Sequence, residues 1–307
     1  MSVEVPMPVR MRHNLSASER EQVLAFLGTA SKVGMGRFDD HLLADLTHGP
    51  REGFLAAIAM RVDGTIAGYA QASAANDGLT VGCVTDGDDA AIVNLLRELL
   101  AALPSDVPIT WWGSDDTRSV AAELGMVPGR RLLNMHVALP VTSTTDVHVR
   151  PFRVGADEAA WLQVNNAAFE WHGEQGGWDA ATLQQRESEP WFDPSGFLLH
   201  ERNGRLAAFC WTKLHGDTRG AHHHLIGEIY VIAVHPEFHG LGLGRALTVA
   251  GLQHLHAVRA TSAMLYVDAD NVAAVRLYRH LGFTVTHAAQ AYQRQAHPTS
   301  PAEGPRS

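Results

Sequence analysis

Two cysteines, two lysines and no apolar run of about 18 residues in a chain of 307 positions are shortages that each remove a class of protein. Cys83 and Cys210 stand far apart, each inside an apolar stretch, so they read as two buried thiols of a reducing compartment and not as a disulfide framework. No stretch is long and apolar enough to predict a membrane span, and the amino terminus carries no signal pattern, so a cytoplasmic protein is expected. Positive charge is also scarce. Against 33 acidic residues stand 24 basic ones, a net charge of -9, which opposes a broad grip on nucleic acid or an anionic membrane. What is present is ample apolar material, 46% of the residues, and a length that suits two ordinary domains. These features together predict a soluble monomer that acts on a small molecule.

Periodicity divides the chain into two similar halves. Ser16-Ala17-Ser18-Glu19 has the spacing of a capping box ahead of a helix running through Leu27, and a second short helix is predicted over 39–46. Strand-like runs at 54–62 and 65–73 meet at Asp63-Gly64, a two-residue hairpin signal, and a third strand is predicted at 79–84. A helix over 88–103 carries Ile92, Leu95, Leu96 and Leu99 on one face; a strand at 109–112, a helix at 117–124 and a strand at 131–139 close the half. The polar, aperiodic stretch 141–146 reads as a linker between domains 1–140 and 147–296, and a tail from 297 rich in Pro, Ser and Gly reads as disordered. After the linker the order recurs: strand 147–152, helices near 157–169 and 182–188, strands 196–202 and 205–214. Local echoes are specific, with Val62-Asp63-Gly64-Thr65-Ile66-Ala67-Gly68-Tyr69 answering Arg202-Asn203-Gly204-Arg205-Leu206-Ala207-Ala208-Phe209, and Glu123-Leu124-Gly125-Met126 answering His280-Leu281-Gly282-Phe283. A duplicated α/β fold follows.

The halves part company after their third strand. In the second, the β-branched run 229–234 is stopped by Pro236 and enters His239-Gly240-Leu241-Gly242-Leu243-Gly244-Arg245 before a helix over 245–258. Glycines let backbone approach a ligand and the first N–H groups of the helix point at it, an arrangement suited to a pyrophosphate. A dinucleotide fingerprint would need glycine at Arg245, and a nucleotide P-loop would need Gly-Lys-Ser/Thr where Gly244-Arg245-Ala246 stands; neither fits. The first half has Val84-Thr85-Asp86-Gly87-Asp88-Asp89-Ala90 here, and its carboxylates would repel a pyrophosphate, so the first domain is expected to bind such a ligand poorly or not at all. Its expected part is scaffold and one wall of the substrate cleft.

Glu228 lies at the start of the apolar strand, where burial disfavours its charged form and makes it a candidate proton acceptor. Asn271 and Tyr278, seven residues apart on the helix predicted over 271–281, share a face, and a Tyr there could protonate a departing thiolate. Core packing is the plainer reading of such a Tyr. His222-His223-His224, with His215 nearby, lacks ligand spacing, so no metal is expected.

The glycine turn resembles the coenzyme A loop of the GNAT acetyltransferases, Gln/Arg-x-x-Gly-x-Gly/Ala, with His239 departing from the pattern at its first position. More narrowly, Asn165-Asn166-Ala167-Ala168-Phe169, Gly173-Glu174-Gln175-Gly176-Gly177-Trp178, Trp191-Phe192-Asp193-Pro194, Trp211-Thr212-Lys213-Leu214-His215 and Leu265-Tyr266-Val267-Asp268-Ala269-Asp270-Asn271 resemble the mycothiol synthase family of tandem GNAT enzymes. The resemblance covers the second half and is weak in the first. It implies two tandem GNAT domains, each a mixed, splayed sheet flanked by helices, the first degenerate. It implies transfer of the acetyl group of acetyl-CoA to the cysteinyl amine of cysteinyl-glucosaminyl-inositol, with Glu228 as base and Tyr278 as acid. Substrate contacts are implied for Asp40, Glu174, Lys213, Glu228 and Tyr266. Coenzyme contacts are implied for Ile232, Ala233 and Val234, for His239, Gly240, Leu241, Gly242, Leu243, Gly244 and Arg245, and for Asn271, Val272, Ala273, Ala274, Val275 and Arg276. Two other readings stay open: acetylation of a different amine, such as an aminoglycoside, a polyamine or a protein amino terminus, and a non-catalytic acetyl-CoA-binding protein. Lys213 in the site opposes a basic polyamine, and the Glu228 and Tyr278 pair opposes the second reading.

Overall fold

A computed structural model describes residues 8–30, 38, 40–75, 78–86, 89–170, 175–216 and 225–295. The chain divides into two units, Met1–Arg131 with Ala289–Ser307, and Leu132–Ala288. In the first, strands β1 (Val9–Arg12), β2 (Leu55–Met60), β3 (Ile66–Ala75), β4 (Gly78–Thr85) and β5 (Ile109–Gly113) follow in spatial order. The chain's last strand, β12 (Thr284–Arg294), lies against β5, with Gln290–Arg294 antiparallel to Ile109–Gly113. Helix α1 (Ala17–Ala30) starts at the predicted capping box: the Glu19 N–H donates to Ser16 Oγ at 3.2 Å and the Ser16 N–H to Glu19 Oε2 at 2.9 Å. Helix α2 (Asp40–His48) follows, α3 (Asp89–Ala102) buries Ile92, Leu95, Leu96 and Leu99, and α4 (Arg118–Glu123) ends at Gly125, whose φ of +68° needs glycine.

In the second unit the spatial order is β6 (Val127–Ala138), β11 (Ser262–Asp268), β10 (Ile226–Val234), β9 (Arg205–His215), β8 (Phe197–Arg202) and β7 (Arg150–Pro151). Among the described residues only β10 and β11 run parallel in it, as only β4 and β5 do in the first, so the strand set of each unit is mixed. Helices α5 (Glu158–Ala168), α6 (Ala180–Glu187), α7 (Leu243–Ala257) and α8 (Val272–His280) complete the unit. Helix α7 comes unusually close to the sheet because two glycines allow it. A Cβ on Gly227 would stand 2.6 Å from the Leu255 side chain, and one on Gly251 would stand 2.6 Å from Cys210 Sγ. The opposite face of β9 carries an aromatic core in which Trp161 of α5 meets Trp211 edge-on at 5.8 Å and Phe197 stacks on Trp211 at 4.3 Å.

Some expectations change. The unit boundary falls within β6 and β12 and not at 141–146, because Ala289–Arg294 completes the first unit's sheet while Leu132–Ala138 pairs with β11. The segment 141–146 is irregular, as read, but Val141 packs on the second unit's core and Ser143 Oγ accepts from Arg245 at 3.3 Å. The hairpin at Asp63-Gly64 spans 61–65: the Arg61 N–H donates to the Thr65 carbonyl at 2.8 Å, and β3 starts only at Ile66. The strand expected at 147–152 shrinks to Arg150–Pro151, the two residues that pair with Leu199 and Leu198 of β8. Both cysteines are buried, and burial raises the thiol pKa of Cys83 to about 12. Residues 297–307 lie outside the described positions.

Candidate active site

Register places Lys213 of β9 opposite Glu228 of β10, Glu228 opposite Met264 of β11, and Met264 opposite His136 of β6. Residues opposite one another across a ladder share a face, so these four side chains form one row, with Tyr266 and Asn134 in the next row along. Helix α7 packs on the other face through Gly227 and Ile229.

Glu228 is only 7% exposed and Lys213 only 6%. The Lys213 ammonium sits 4.4 Å from the Trp191 ring centre and 5.5 Å from that of Tyr230, so aromatic faces compensate part of its lost hydration. Glu228 meets His215, whose Nε2 lies 2.6 Å from Oε2 of the carboxylate. In the sequence His215 stands as a neighbour of the histidine triplet and as the end of the Trp211–His215 motif, with no role of its own. The signal that could have found it is alternation, since His215 stands two positions beyond Lys213 on the same strand face. The triplet itself lies outside the described residues, as does Glu174.

The stretch that follows Glu174 is anchored to α5. Asn165 Nδ2 donates to the Gln175 carbonyl at 2.8 Å, Asn166 Nδ2 donates to the Trp178 carbonyl at 2.8 Å, and the Trp178 N–H returns a bond to Asn166 Oδ1 at 3.1 Å. Two motifs read separately in the sequence are therefore one hydrogen-bonded piece.

The register of β10 shifts between Ile229 and Val231, a bulge at Tyr230. Up to Ile229 the strand pairs with β11 on one side and β9 on the other; beyond it, pairing continues only with β9, as far as Val234 opposite Ala208. Among the described residues no strand covers the β11 side of Tyr230–Val234, so Ile232, Ala233 and Val234 lie along an opened edge. The chain then turns through Gly240 (φ +80°) and Gly242 (φ +74°), the latter capping α7. Nothing lies within 4 Å of where a Cβ on Gly240 or Gly242 would be, and a Cβ on Gly244 would meet only Leu277 of α8, at 3.9 Å. The turn therefore borders open space beside α8, with the first amide groups of α7 directed into it. A pyrophosphate and its pantetheine arm fit this cradle and edge. The exposed His239 turns its Nε2 back to the strand, donating to the Val234 carbonyl at 3.0 Å.

Helix α8 begins at Asn271, whose Oδ1 accepts from the Ala274 N–H at 3.1 Å. Val275 is buried in the core and Arg276 is exposed. Tyr278 is 8% exposed, its ring 5.7 Å from that of Phe283, and burial raises its phenol above the ordinary value, so it stays protonated at neutral pH. The second unit exposes five large apolar side chains among the described residues, and three of them, Leu241, Tyr266 and Val272, are residues expected at the site. Asp40 is the first residue of α2, in the first unit.

Residues 164–283 match the acetyltransferase (GNAT) family. The chain is 39% identical over 288 residues to the mycothiol acetyltransferase of Thermomonospora curvata, a match spanning 88% of this chain and 92% of that one. It is 37% identical to the mycothiol acetyltransferase of Streptomyces griseus, covering 96% of this chain and all of the other, 100%. Among solved structures, a GCN5-related N-acetyltransferase from Sphaerobacter thermophilus matches 95% of this chain and 98% of its own with a TM-score of 0.68 at 20% identity. A tandem GNAT protein from the clavulanic acid biosynthesis pathway matches 95% of this chain and 100% of its own with a TM-score of 0.64 at 15% identity. These two establish the tandem fold. No helix among the described residues is long and apolar enough to cross a membrane.

Proposed function

The chain belongs to the mycothiol acetyltransferase family of GNAT enzymes, and from that premise we propose that it moves the acetyl group of acetyl-CoA to the cysteinyl amine of cysteinyl-glucosaminyl-inositol. The observation that carries the reading is the buried pair Lys213 and Glu228, side by side on the face next to the opened edge of β10. Bound acetyl-CoA supplies the thioester. The cradle at Gly240, Gly242 and Gly244 with the α7 amides holds its pyrophosphate, and the edge from Ile232 to Val234 pairs with its pantetheine arm, with Asn271–Arg276 alongside. An N–H of that edge would donate to the acetyl oxygen as charge develops there.

Glu228 accepts the proton of the substrate amine at its carboxylate, in a site dry enough for the charge to matter. Lys213 is held by Trp191 and Tyr230 and presents its N–H groups to sugar or inositol hydroxyls; one of only two lysines in the chain, it supplies a compact donor where arginine would supply a fork. Tyr266, 37% exposed one row along the same face, adds a wall to the substrate site, and Glu174 and Asp40 are the further polar contacts of this reading. Tyr278 Oη, kept protonated by burial, gives its proton to the coenzyme sulfur. The coenzyme and the glycosidic substrate are the partners, the working form is a cytoplasmic monomer, and no metal takes part.

The test is thiol release from acetyl-CoA in the presence of cysteinyl-glucosaminyl-inositol, with mass spectrometry to locate the acetyl group. An N-acetyl product formed well above the rate with aminoglycosides, polyamines and peptide amino termini is expected; equal rates across that panel would refute the substrate. Tyr278→Phe should lower kcat by about tenfold or more while leaving acetyl-CoA affinity within about twofold. Wild-type kcat in that variant would remove Tyr278 from the mechanism.

A further inference from the structure

We infer that His215 is the positioning residue of Glu228: its Nε2–H fixes one carboxylate oxygen, Oε2, and so leaves Oε1 aimed at the amine. The inference deepens the function proposed above and rests on Glu228 being the base there. Three observations lead to it. The contact is short, 2.6 Å between Nε2 and Oε2, in the range of charge-assisted bonds. The two residues are diagonal neighbours on one sheet face, since His215 pairs with Ile226 and Lys213 with Glu228, so the bond is set by strand register and not by a loose surface rotamer. And the two ends differ in surroundings: the His215 side chain is 34% exposed while that of Glu228 is 9% exposed. A carboxylate so placed has few water molecules to orient it, and a partner at the solvent edge does so instead.

The direction of the bond follows from chemistry. An ionised carboxylate carries no proton, so the proton between the two atoms belongs to Nε2, and the imidazole is either the Nε2–H tautomer or the imidazolium. A carboxylate held at one oxygen cannot rotate to present either oxygen at random, and the proton-accepting lone pair keeps one direction. When Glu228 takes the proton of the amine at Oε1, the Nε2–H bond to Oε2 persists and the acid loses that proton to water in the next step. His215 neither gains nor loses a proton in this step. Among the described residues the titratable or charged side chains that alternate onto this face include Lys213 on β9, Tyr230 on β10, Tyr266 and Asp268 on β11 and His136 on β6; Lys213 is directed to aromatic rings, and burial lowers the His136 pKa, which keeps that ring neutral.

The test compares two amides. Gln places its Nε2 as many bonds from the backbone as His places its own Nε2, whereas the Asn amide reaches only as far as Nδ1. His215→Asn is expected to lower kcat with the cysteinyl substrate by about tenfold or more, the scale of one hydrogen bond to a charged group, while calorimetric acetyl-CoA affinity stays within about twofold. His215→Gln should restore most of the lost rate. A second readout needs no turnover: long-range nitrogen–proton correlation spectra of the ligand-free protein, with the His215 signal identified by its loss in His215→Gln, should show the proton on Nε2. A ring protonated on Nδ1 alone, or an Asn variant with wild-type kcat, or a Gln variant no better than Asn, would each overturn the assignment. A wild-type enzyme inactive on every amine would instead refute the proposed function, and the spectrum would still decide the hydrogen bond.

Discussion

The two units are built on one plan, and the same ladder positions hold different chemistry in each. Ser73 faces Thr80 across β3 and β4 where Lys213 faces Glu228 across β9 and β10, and Ser73 and Lys213 each follow a hairpin-turn glycine of positive φ, Gly64 and Gly204. In the first unit this face is packed shut: Tyr69 Oη donates to Gln71 Oε1 at 2.8 Å, and Gln71 Nε2 donates to the Leu42 carbonyl of α2 and to Ser73 Oγ, both at 2.8 Å. All three side chains are buried, and Phe38 and Leu42 lie over Gly82, the first residue of β4 beyond its pairing with β5. The second unit instead leaves His215 and Tyr266 partly open and buries a lysine and a carboxylate. A fold can thus be duplicated whole while one copy keeps charged side chains at register positions that are neutral and packed in the other, and the function proposed above assigns the chemistry to the charged copy.

The sharpest way to break this comparison is to change the matching ladder position in each copy in turn. Glu228→Gln should lower kcat by about a hundredfold or more, the ordinary worth of a positioned base, with acetyl-CoA affinity within about twofold. Thr80→Val, at the matching position of the first unit, should leave kcat within about twofold, since a buried Thr there touches no substrate. Steady-state thiol release decides both; a Thr80→Val effect as large as the Glu228→Gln effect would mean that the first copy still works.

The next contrast is the turn. Gly244 has room for a side chain in the free protein, so Gly244→Leu should leave the melting temperature within a few degrees but weaken acetyl-CoA binding by about tenfold, since the added side chain fills the cradle. Titration of the full chain should give one acetyl-CoA per polypeptide, because the first unit turns through Asp86 where the second has its glycines. Two equivalent sites would overturn the expected loss of binding in the first unit.

How much of this could be read before any coordinates? The helices of both units were legible because their apolar periodicity and caps are local, as in α3 and at Ser16. The glycine turn and the Asn271–Tyr278 helix were legible for the same reason. Strand β12 was not, because its reason for existing is remote: Gln290–Arg294 is a strand because β5, some 180 residues earlier, offers an edge, and Gln290 Nε2 donates to the Gly129 carbonyl at 2.8 Å. The Glu228 and His215 pair escaped likewise, since a diagonal contact depends on the register between two strands. Local chemistry shows itself in sequence; chemistry made by pairing waits for the ladder.

The smallest expected effect concerns a feature that both units share. Arg12 of β1 binds Glu19, seven residues on in α1, at 2.8 Å, and Arg150 of β7 binds Asp157, seven residues on at the cap of α5, at 2.7 Å. Each arginine lowers its partner's pKa to about 2, chiefly by hydrogen bonding. The surroundings differ: the Asp157 side chain is 6% exposed, and it also accepts the Arg153 N–H at 2.7 Å, whereas that of Glu19 is 30% exposed. A carboxylate whose folded pKa lies below its ordinary value adds stability that is complete above that ordinary value and fades as pH falls through the folded one. Asp157→Asn should therefore cost about 1–2 kcal/mol at pH 7, and the gap between variant and wild type should narrow between about pH 4 and pH 2. Glu19→Gln, at the more exposed pair, should cost less than about 1 kcal/mol at pH 7. Urea unfolding midpoints across that pH range decide it. Equal costs at the two sites would show that burial does not separate the two clamps, and a gap for Asp157→Asn that holds constant down to pH 2 would show that the charge of Asp157 is not what stabilises the second unit.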